Sequence, residues 1–168
     1  RLGITPEFSG RFCRFTLTEP RHLVLLINGR DHPLFLWTDP PEVPGEGPPV
    51  GGGTRYFAAG VHHLGLRTPI GDDSDVYLAG GAVVLGTFLS ESSSGLTRVT
   101  IRGRGILCGS PWPWTTDRPE GWLDGLIALR GGRWSDSRID GVILLDSPSW
   151  TLGFDKVRTQ VSRVKIIG

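Results

Sequence analysis

The sequence predicts an all-β chain, of which the larger part is a parallel β-helix or a related solenoid. Three segments share a pattern in which a hydroxyl residue and an arginine precede alternating β-branched and polar residues; they span residues 97–101, 137–141 and 162–166. Residues 75–78 form a weaker copy. Self-similarity at a period of roughly 20 to 50 residues is typical of stacked supersecondary units, and these units are rich in strand-forming residues.

The pattern also predicts which positions stack on one another. We align one β-branched residue from each copy, namely Val76, Val99, Ile139 and Val164. Two of the three intervals are similar, and the middle one is longer by an insertion of roughly fifteen residues, which solenoids usually carry as a loop on one face. We therefore expect these four side chains to point inward from neighbouring coils.

Composition supports many short strands joined by tight turns. The 168 residues include 25 glycines and 13 prolines, and the glycines lie between apolar runs. A net charge of +1 gives no reason to expect nucleic acid or an anionic membrane as a partner. Two cysteines are too few for a disulfide framework, and no apolar run approaches the length of a membrane span. Since the chain begins at Arg1 without a signal-peptide pattern, we expect a piece of a longer protein.

The chain divides by pattern into residues 1–53 and 54–168. Residues 11–37 alternate apolar runs and turns, and Asn28-Gly29 between two such runs predicts a hairpin, so this part is interpreted as a partial β-sandwich. Residues 38–53 are rich in proline and glycine, which predicts a linker. Residues 54–168 hold the repeats and are assigned to the N-terminal coils of the β-helix.

Two further patterns, the histidines and a glycine pair, give little reason to expect a metal or nucleotide site. The four histidines, His22, His32, His62 and His63, are interpreted as turn or strand residues, because successive residues of a strand point to opposite faces and a metal needs more ligands nearby. Gly80-Gly81 lacks the glycine spacing of a nucleotide-binding loop. We therefore expect neither a metal nor a cofactor.

The insertion, residues 109–125, contains the candidate binding residues. Exposed indoles beside carboxylates suit a sugar, whose C–H face stacks on the ring while its hydroxyls bond to charged side chains. The candidates are Trp112, Trp114, Asp117, Glu120 and Trp122. In the alternative, the tryptophans pack the loop onto the solenoid wall. A mixed outcome, with one indole packed and another exposed, is also open.

Three segments in this order resemble polygalacturonase-like glycoside hydrolases, a group with dextranase and isopullulanase relatives: residues 76–86, 101–109 and 146–152. Residues 34–42 and 56–62 are similar to the junction between the small β-sandwich and the helix in dextranase-type members. The resemblance extends from about Leu23. It implies a right-handed parallel β-helix and a secreted or periplasmic polysaccharide hydrolase.

In those families the catalytic aspartates lie on coils after the segment that residues 146–152 resemble, so the resemblance places them beyond Gly168 and assigns none here. Hydrolysis needs two carboxyls about 5 to 10 Å apart, and the acidic residues available are Asp117, Glu120, Asp124, Asp136, Asp140, Asp146 and Asp155. Asp140 and Asp146 are expected at turns and coil corners. A loop pair such as Asp117 with Glu120 is a further possibility.

The function expected is that of a polysaccharide glycoside hydrolase, with this piece inactive by itself. The alternatives are a non-catalytic glycan-binding β-solenoid and a β-helix lyase, which would need Ca²⁺ and an acidic cluster that the sequence does not show. The expected partner is a polysaccharide or oligosaccharide. Because Val164, Ile166 and Ile167 are apolar, self-association or a partner chain is expected at the C-terminal edge of the β-helix.

Overall fold

The computed structural model describes residues 3–27, 29, 31, 33–42, 47, 54–91, 95–112, 125–130, 134–154 and 157–168. Within these ranges the chain forms β-strands and no helix, which confirms the all-β prediction. Two compact units can be distinguished, Arg1–Glu42 and Val43–Gly168.

The first unit contains two antiparallel hairpins. One joins β1 (Glu7–Ser9) to β2 (Phe12–Arg14), and the other joins β3 (His22–Leu26) to β4 (Pro33–Trp37). In the second hairpin Leu23 lies opposite Leu36, as expected for two apolar runs joined by a short turn. Asn28 of the predicted turn lies outside the described residues.

The second unit is a β-solenoid of about four turns. In chain order its strands are β5 (Thr54–Phe57), β6 (Gly60–Pro69), β7 (Asp75–Leu78), β8 (Ala82–Glu91), β9 (Thr100–Gly103), β10 (Ile106–Cys108), β11 (Ile127–Arg130), β12 (Trp134–Asp140), β13 (Ile143–Leu145), β14 (Leu152–Phe154), β15 (Val157–Ser162) and β16 (Lys165–Ile167). Every strand pair in this unit is parallel, which confirms the predicted parallel β-helix.

The strands form two sheets. The first sheet runs in the order β5, β7, β9, β12 and β15. In the second sheet the long strand β8 pairs with β6 on one side, while on the other side β10 pairs with its first half and β11 with its second. Strands β13 and β16 extend the β10 half, and β14 extends the β11 half. The second sheet therefore splits at one corner of the solenoid.

The core consists of inward-facing side chains stacked in rows across the coils. Val76, Ile101 and Ile139 form one such row in the first sheet, and Val84, Leu107 and Leu144 form another in the second. All six are at most 2% exposed. Burying an aliphatic side chain of this size contributes about 1.5 to 3 kcal/mol, so these rows hold neighbouring coils together.

The stacking register differs from the one expected. Val76 pairs with Ile101 rather than Val99, and Ile139 pairs with Ile101 and Val161. Val164 lies between β15 and β16 and is only half-buried. The equivalence of Val76 with Val99 and of Ile139 with Val164 was therefore wrong, although Val76, Val99 and Ile139 are each at most 2% exposed and lie on three successive coils.

One corner of the coil explains why the observed register differs from the expected one. Asp73, Arg98 and Asp136 have left-handed backbone, with φ of 57°, 55° and 55°. The Asp73 N–H donates to Thr97 O at 3.1 Å, and the Arg98 N–H donates to Ser135 O at 3.1 Å. Arg98 is thus equivalent to Asp136 and not to Arg138. Because the corner fixes a backbone conformation rather than a side chain, matching Arg98 to Arg138 shifted the alignment of their two coils by two residues. The alignment of Ile139 with the last coil was shifted by three, since Val161 and not Val164 lies opposite Ile139.

Gly103, the last residue of β9, shows how closely adjacent coils approach. Its φ is 122°, and a Cβ there would collide with the carbonyl oxygen of Leu78 on the preceding coil. The amides of Arg104 and Gly105 both donate to that carbonyl, at 2.9 and 3.0 Å. Only glycine meets both the conformation and the contact.

Candidate functional site

The insertion leaves the solenoid where the second sheet splits. It departs after β10 and returns before β11, and the turn of residues 146–151 leaves the next coil at the same place, between β13 and β14. The Gly109 N–H donates to Leu145 O at 3.0 Å, and the Leu126 N–H donates to Trp150 O at 3.0 Å. We call residues 109–112, 125–126 and 146–151 the insertion corner.

The returning end of the insertion is packed tightly against the turn above it. A Cβ at Gly125 would meet the backbone of Trp150, and the Ile127 N–H donates to Thr151 O at 3.2 Å. Leu126 beside it is fully buried. The backbone of the insertion corner is therefore fixed by the solenoid core.

Trp150 presents its indole to solvent from this fixed backbone. Its side chain is 64% exposed, while its carbonyl accepts hydrogen bonds from the Leu126 N–H and from Ser147 Oγ at 2.8 Å. An exposed aromatic ring on a fixed backbone offers a large apolar contact area, and it loses little conformational entropy when it binds a ligand. The sequence analysis used residues 146–152 only as part of the family resemblance, with Asp146 expected at a turn, and did not predict Trp150 as a binding residue.

Trp112 is the one predicted binding residue that the structure describes. Its N–H donates to Gly109 O at 2.9 Å in a tight turn, and its side chain is half-buried. The other predicted residues, Trp114, Asp117, Glu120 and Trp122, lie outside the described residues. The structure therefore places Trp112 and Trp150 at one corner of the solenoid and leaves the rest of the predicted set untested.

Polar groups accompany the two tryptophans at the insertion corner. Asp146 is exposed and has left-handed backbone, with φ of 48°. Ser147 lies in the same turn, and Ser110 Oγ lies 3.0 Å from Sγ of Cys108, whose thiol is buried and free of a disulfide. A carboxylate and hydroxyls beside an indole can bond to the hydroxyls of a bound sugar.

Asp140 lies in an ion-pair network that keeps its carboxyl group ionised. Its carboxylate is 7% exposed and accepts hydrogen bonds from Arg163, from Ser162 Oγ at 2.8 Å and from Arg138 Nη2 at 2.7 Å. The Arg163 hydrogen bonds, with smaller contributions from Ser162 and the charge of Arg138, hold the pKa of Asp140 at about 2 despite its burial. A general acid needs a pKa near the working pH.

The remaining acidic candidates fall into two groups. Asp136 occupies an exposed coil corner, like Asp146. Asp117, Glu120, Asp124 and Asp155 lie outside the described residues. Asp140 itself ends strand β12 and bonds to side chains, so its partners differ from the turn backbone that the sequence suggested.

The described histidines contact neighbouring residues or solvent and are not grouped around a metal site. His62 Nε2 lies 2.7 Å from Ala58 O, and its ring meets Phe57 edge-on with centroids 5.3 Å apart. His62 is in register with the buried Val84 and is half-buried, whereas His63 is exposed. Across the described ranges no three histidine, cysteine, aspartate or glutamate side chains are grouped so as to hold a metal ion. His32 lies outside those ranges.

A row of aromatic and polar side chains, which the sequence analysis did not predict, lies on the outer side of the first sheet, where Tyr77 and Asp140 are nonetheless buried. One outward row crosses its five strands and contains Tyr56, Tyr77, Arg102, Asp140 and Ser162. Tyr56 and Tyr77 stack at 5.7 Å, and the Arg102 guanidinium lies 5.0 Å from the Tyr77 ring centre. Arginine recurred in the sequence repeats, but only the true register shows that these side chains share one face.

Comparisons with known proteins leave the family open. No protein-family model, curated protein or solved structure matches the chain. In the part of the chain that the structure describes, no helix has the length and apolarity needed to cross a bilayer.

Proposed function

We propose that this chain is the glycan-binding portion of a β-solenoid polysaccharide hydrolase, whose catalytic carboxylates lie outside residues 1–168. The observation that carries the proposal is the exposed indole of Trp150, whose backbone is bonded to Leu126 where the insertion returns to the solenoid. Insertions of this kind map to one face of a solenoid, often the binding face. The proposed partner is a polysaccharide or oligosaccharide outside the cell or in a periplasm.

Two features of the insertion corner support binding over packing. Trp150 keeps 64% of its surface exposed although its backbone is fixed, so the indole adds little to the core. The neighbouring Leu126, in contrast, is fully buried and provides the packing at this position. The corner therefore separates a structural apolar residue from an exposed aromatic one.

A pair of variants tests the proposal. Trp150→Ala should weaken binding to dextran, pullulan or polygalacturonate by about tenfold, which corresponds to 1.4 kcal/mol. Its free energy of unfolding should stay within about 0.5 kcal/mol of the parent, as at other surface positions. Leu126→Ala in the same corner should cost about 2 to 5 kcal/mol.

Affinity electrophoresis and urea unfolding provide the two measurements. If Trp150→Ala binds glycan as well as the parent, or if the parent binds none of the three polysaccharides, the glycan-binding proposal is wrong. If Trp150→Ala loses several kcal/mol of stability, the indole is a packing residue.

The alternative is a non-catalytic glycan-binding solenoid. It needs no catalytic carboxylate, and Asp140, the most buried carboxylate of the described residues, is occupied by ion pairs with Arg138 and Arg163. Both proposals predict no hydrolysis by the 168-residue chain. Release of reducing sugar by a longer polypeptide that contains this chain would favour the hydrolase, and binding without release would favour the alternative.

A further inference from the structure

We propose that the cleft between the two hairpins of the first unit binds a free fatty acid, a single alkyl chain that ends in a carboxylate. The apolar lining of the cleft contacts the chain, and Arg11 binds the carboxylate. This site belongs to the unit Arg1–Glu42 and is independent of the glycan-binding function proposed for the solenoid.

The cleft has the size and lining of a small-molecule site. Its volume is about 940 Å³, within the range of roughly 300 to 1,000 Å³ that such sites occupy. Residues 23–27, which begin in β3, line it together with Leu36 of β4. Phe8, Phe12 and Phe15, which lie in or directly after the first hairpin, line it as well. Both hairpins therefore contribute large apolar side chains to one cleft.

Much of this lining is open to solvent. Phe8 and Phe12 are 76% and 79% exposed, and Val24 and Leu26 are 54% and 49% exposed. Large apolar side chains that remain exposed along one cleft usually mark a ligand or interaction site. An alkyl chain gains affinity by removing such surface from water.

Polar side chains are few in the cleft. Among its described lining residues only Thr5, Arg11 and Cys13 carry polar side-chain atoms. A sugar presents many hydroxyls that would lose their hydrogen bonds to water against such a lining. An alkyl chain with one polar end matches it better.

Arg11 provides the cleft with one positive charge. It lies in the turn between β1 and β2, and no hydrogen bond or ion pair joins it to another described residue. By contrast, Arg21 is paired with Glu19. The planar guanidinium matches a carboxylate through two parallel hydrogen bonds. The charge of Arg11 therefore favours a fatty acid over an uncharged alkyl compound.

A single arginine favours a free acid over a membrane surface. Segments that bind anionic membranes usually carry clusters of roughly four to eight basic residues. The described lining of this cleft has one, namely Arg11. The cleft is also concave, which suits one bound chain.

Cys13 makes occupancy of the cleft measurable. It lines the cleft and is exposed, whereas Cys108, the other cysteine of the chain, is 3% exposed. A thiol-specific reagent should therefore react with Cys13 first, and a bound ligand should slow that reaction. The rate is measured on the 168-residue chain as octanoate, decanoate or dodecanoate is added below the concentration at which it forms micelles.

The two parts of the ligand are tested separately. We expect each two added methylene groups to tighten binding by about tenfold. Decanol should bind about fivefold more weakly than decanoate, and Arg11→Gln should abolish this difference. Phe12→Ala should weaken both ligands while leaving the urea midpoint unchanged, because Phe12 is an exposed residue.

Arg14→Gln is the matched control. Arg14 follows Arg11 by three residues, lies opposite Glu7 and is not among the residues that line the cleft. This variant should bind decanoate as the parent does. An equal loss of decanoate binding in Arg14→Gln and Arg11→Gln would overturn the assignment of the carboxylate to Arg11.

Three other results would overturn the proposal. The first is an unchanged Cys13 reaction rate with all three acids. The second is protection of Cys13 that rises with protein concentration in the absence of ligand, which would show that a second copy fills the cleft. The third is protection by anionic phospholipid vesicles and not by decanoate. Trp150→Ala should bind decanoate like the parent, so a failure here leaves the glycan-binding proposal untouched.

Discussion

Arg163 donates hydrogen bonds from Nε and Nη2 to the carboxylate of Asp140, which lies 23 residues earlier in the chain. The Nε to Oδ1 distance is 2.9 Å. Because Asp140 ends strand β12 and Arg163 follows β15, the pair ties one coil to the next outside the hydrophobic core. This contact makes part of the stability of the solenoid depend on pH.

The first prediction concerns that pH dependence. The pKa of Asp140 is lowered from 3.8 to about 2 in the folded protein, so its ionised form stabilises the fold above about pH 4. This contribution is lost as the pH falls from about 4 through 2. We expect Asp140→Asn to lower the free energy of unfolding by about 2 kcal/mol at pH 7 and by little at pH 2.

Urea unfolding of both proteins at a series of pH values measures the difference. Asp73→Asn is the control, because Asp73 pairs with Arg98 at an exposed corner and should give a much smaller change. A difference for Asp140→Asn that stays constant from pH 7 to pH 2 would contradict the ion-pair explanation.

The second prediction concerns the close approach of coils at Gly103. Gly103→Ala places a methyl group against Leu78 O and forces alanine to a φ of 122°, so we expect a loss of at least about 2 kcal/mol. Gly153→Ala is the matched control, since nothing lies within 4 Å of its Cβ position and its φ is not positive. Equal stabilities of the two variants, measured by urea unfolding, would contradict the packing described for this turn.

The third prediction concerns Trp112. Because its side chain is half-buried, Trp112→Ala should weaken glycan binding and also cost about 1 kcal/mol of stability, between the effects of Trp150→Ala and Leu126→Ala. Titration calorimetry with dextran and thermal unfolding provide the measurements. A loss above about 3 kcal/mol with unchanged binding would show that Trp112 only packs the insertion.

The fourth prediction concerns the outermost strands. β14, β15 and β16 each have one unpaired edge among the described strands, and Val161 and Ile166 are 44% and 58% exposed. Such an edge pairs readily with another chain, so we expect the 168-residue chain to self-associate at micromolar concentration. Ile166→Lys on β16 should return it to a monomer in light scattering. Gln160→Lys should not, because Gln160 lies on the face of β15 opposite to Val161. A monomeric parent chain would refute this expectation.

The sequence was sufficient for the solenoid but not for its register. Alternating β-branched residues around Ile101 and Ile139 predicted inward rows because strands repeat every two residues. The register depends on the left-handed corner, which is occupied by aspartate at Asp73 and Asp136 but by arginine at Arg98 on the coil between them. No side-chain pattern therefore marks that position in the sequence.

The site could be predicted only in outline. The insertion was visible because tryptophan and proline concentrate there, but Trp150 lies in another coil and meets it only after folding. The outer row of the first sheet depends on pairs such as Arg102 with Asp140, which are 38 positions apart in the chain and adjacent only in the sheet. Composition gave no sign of it, because the net charge of the whole chain is +1.

The split of the second sheet has a consequence for how such a protein can change over time. Strand β8 crosses the corner without interruption, whereas β10 and β11 are joined there by the insertion, yet both pair with β8 in parallel. The length of the insertion between β10 and β11 therefore does not affect the hydrogen bonds that join these two strands to β8. A loop of different length and composition, grafted between Gly109 and Gly125, would change what the corner contacts while the coils beneath it keep their pairing.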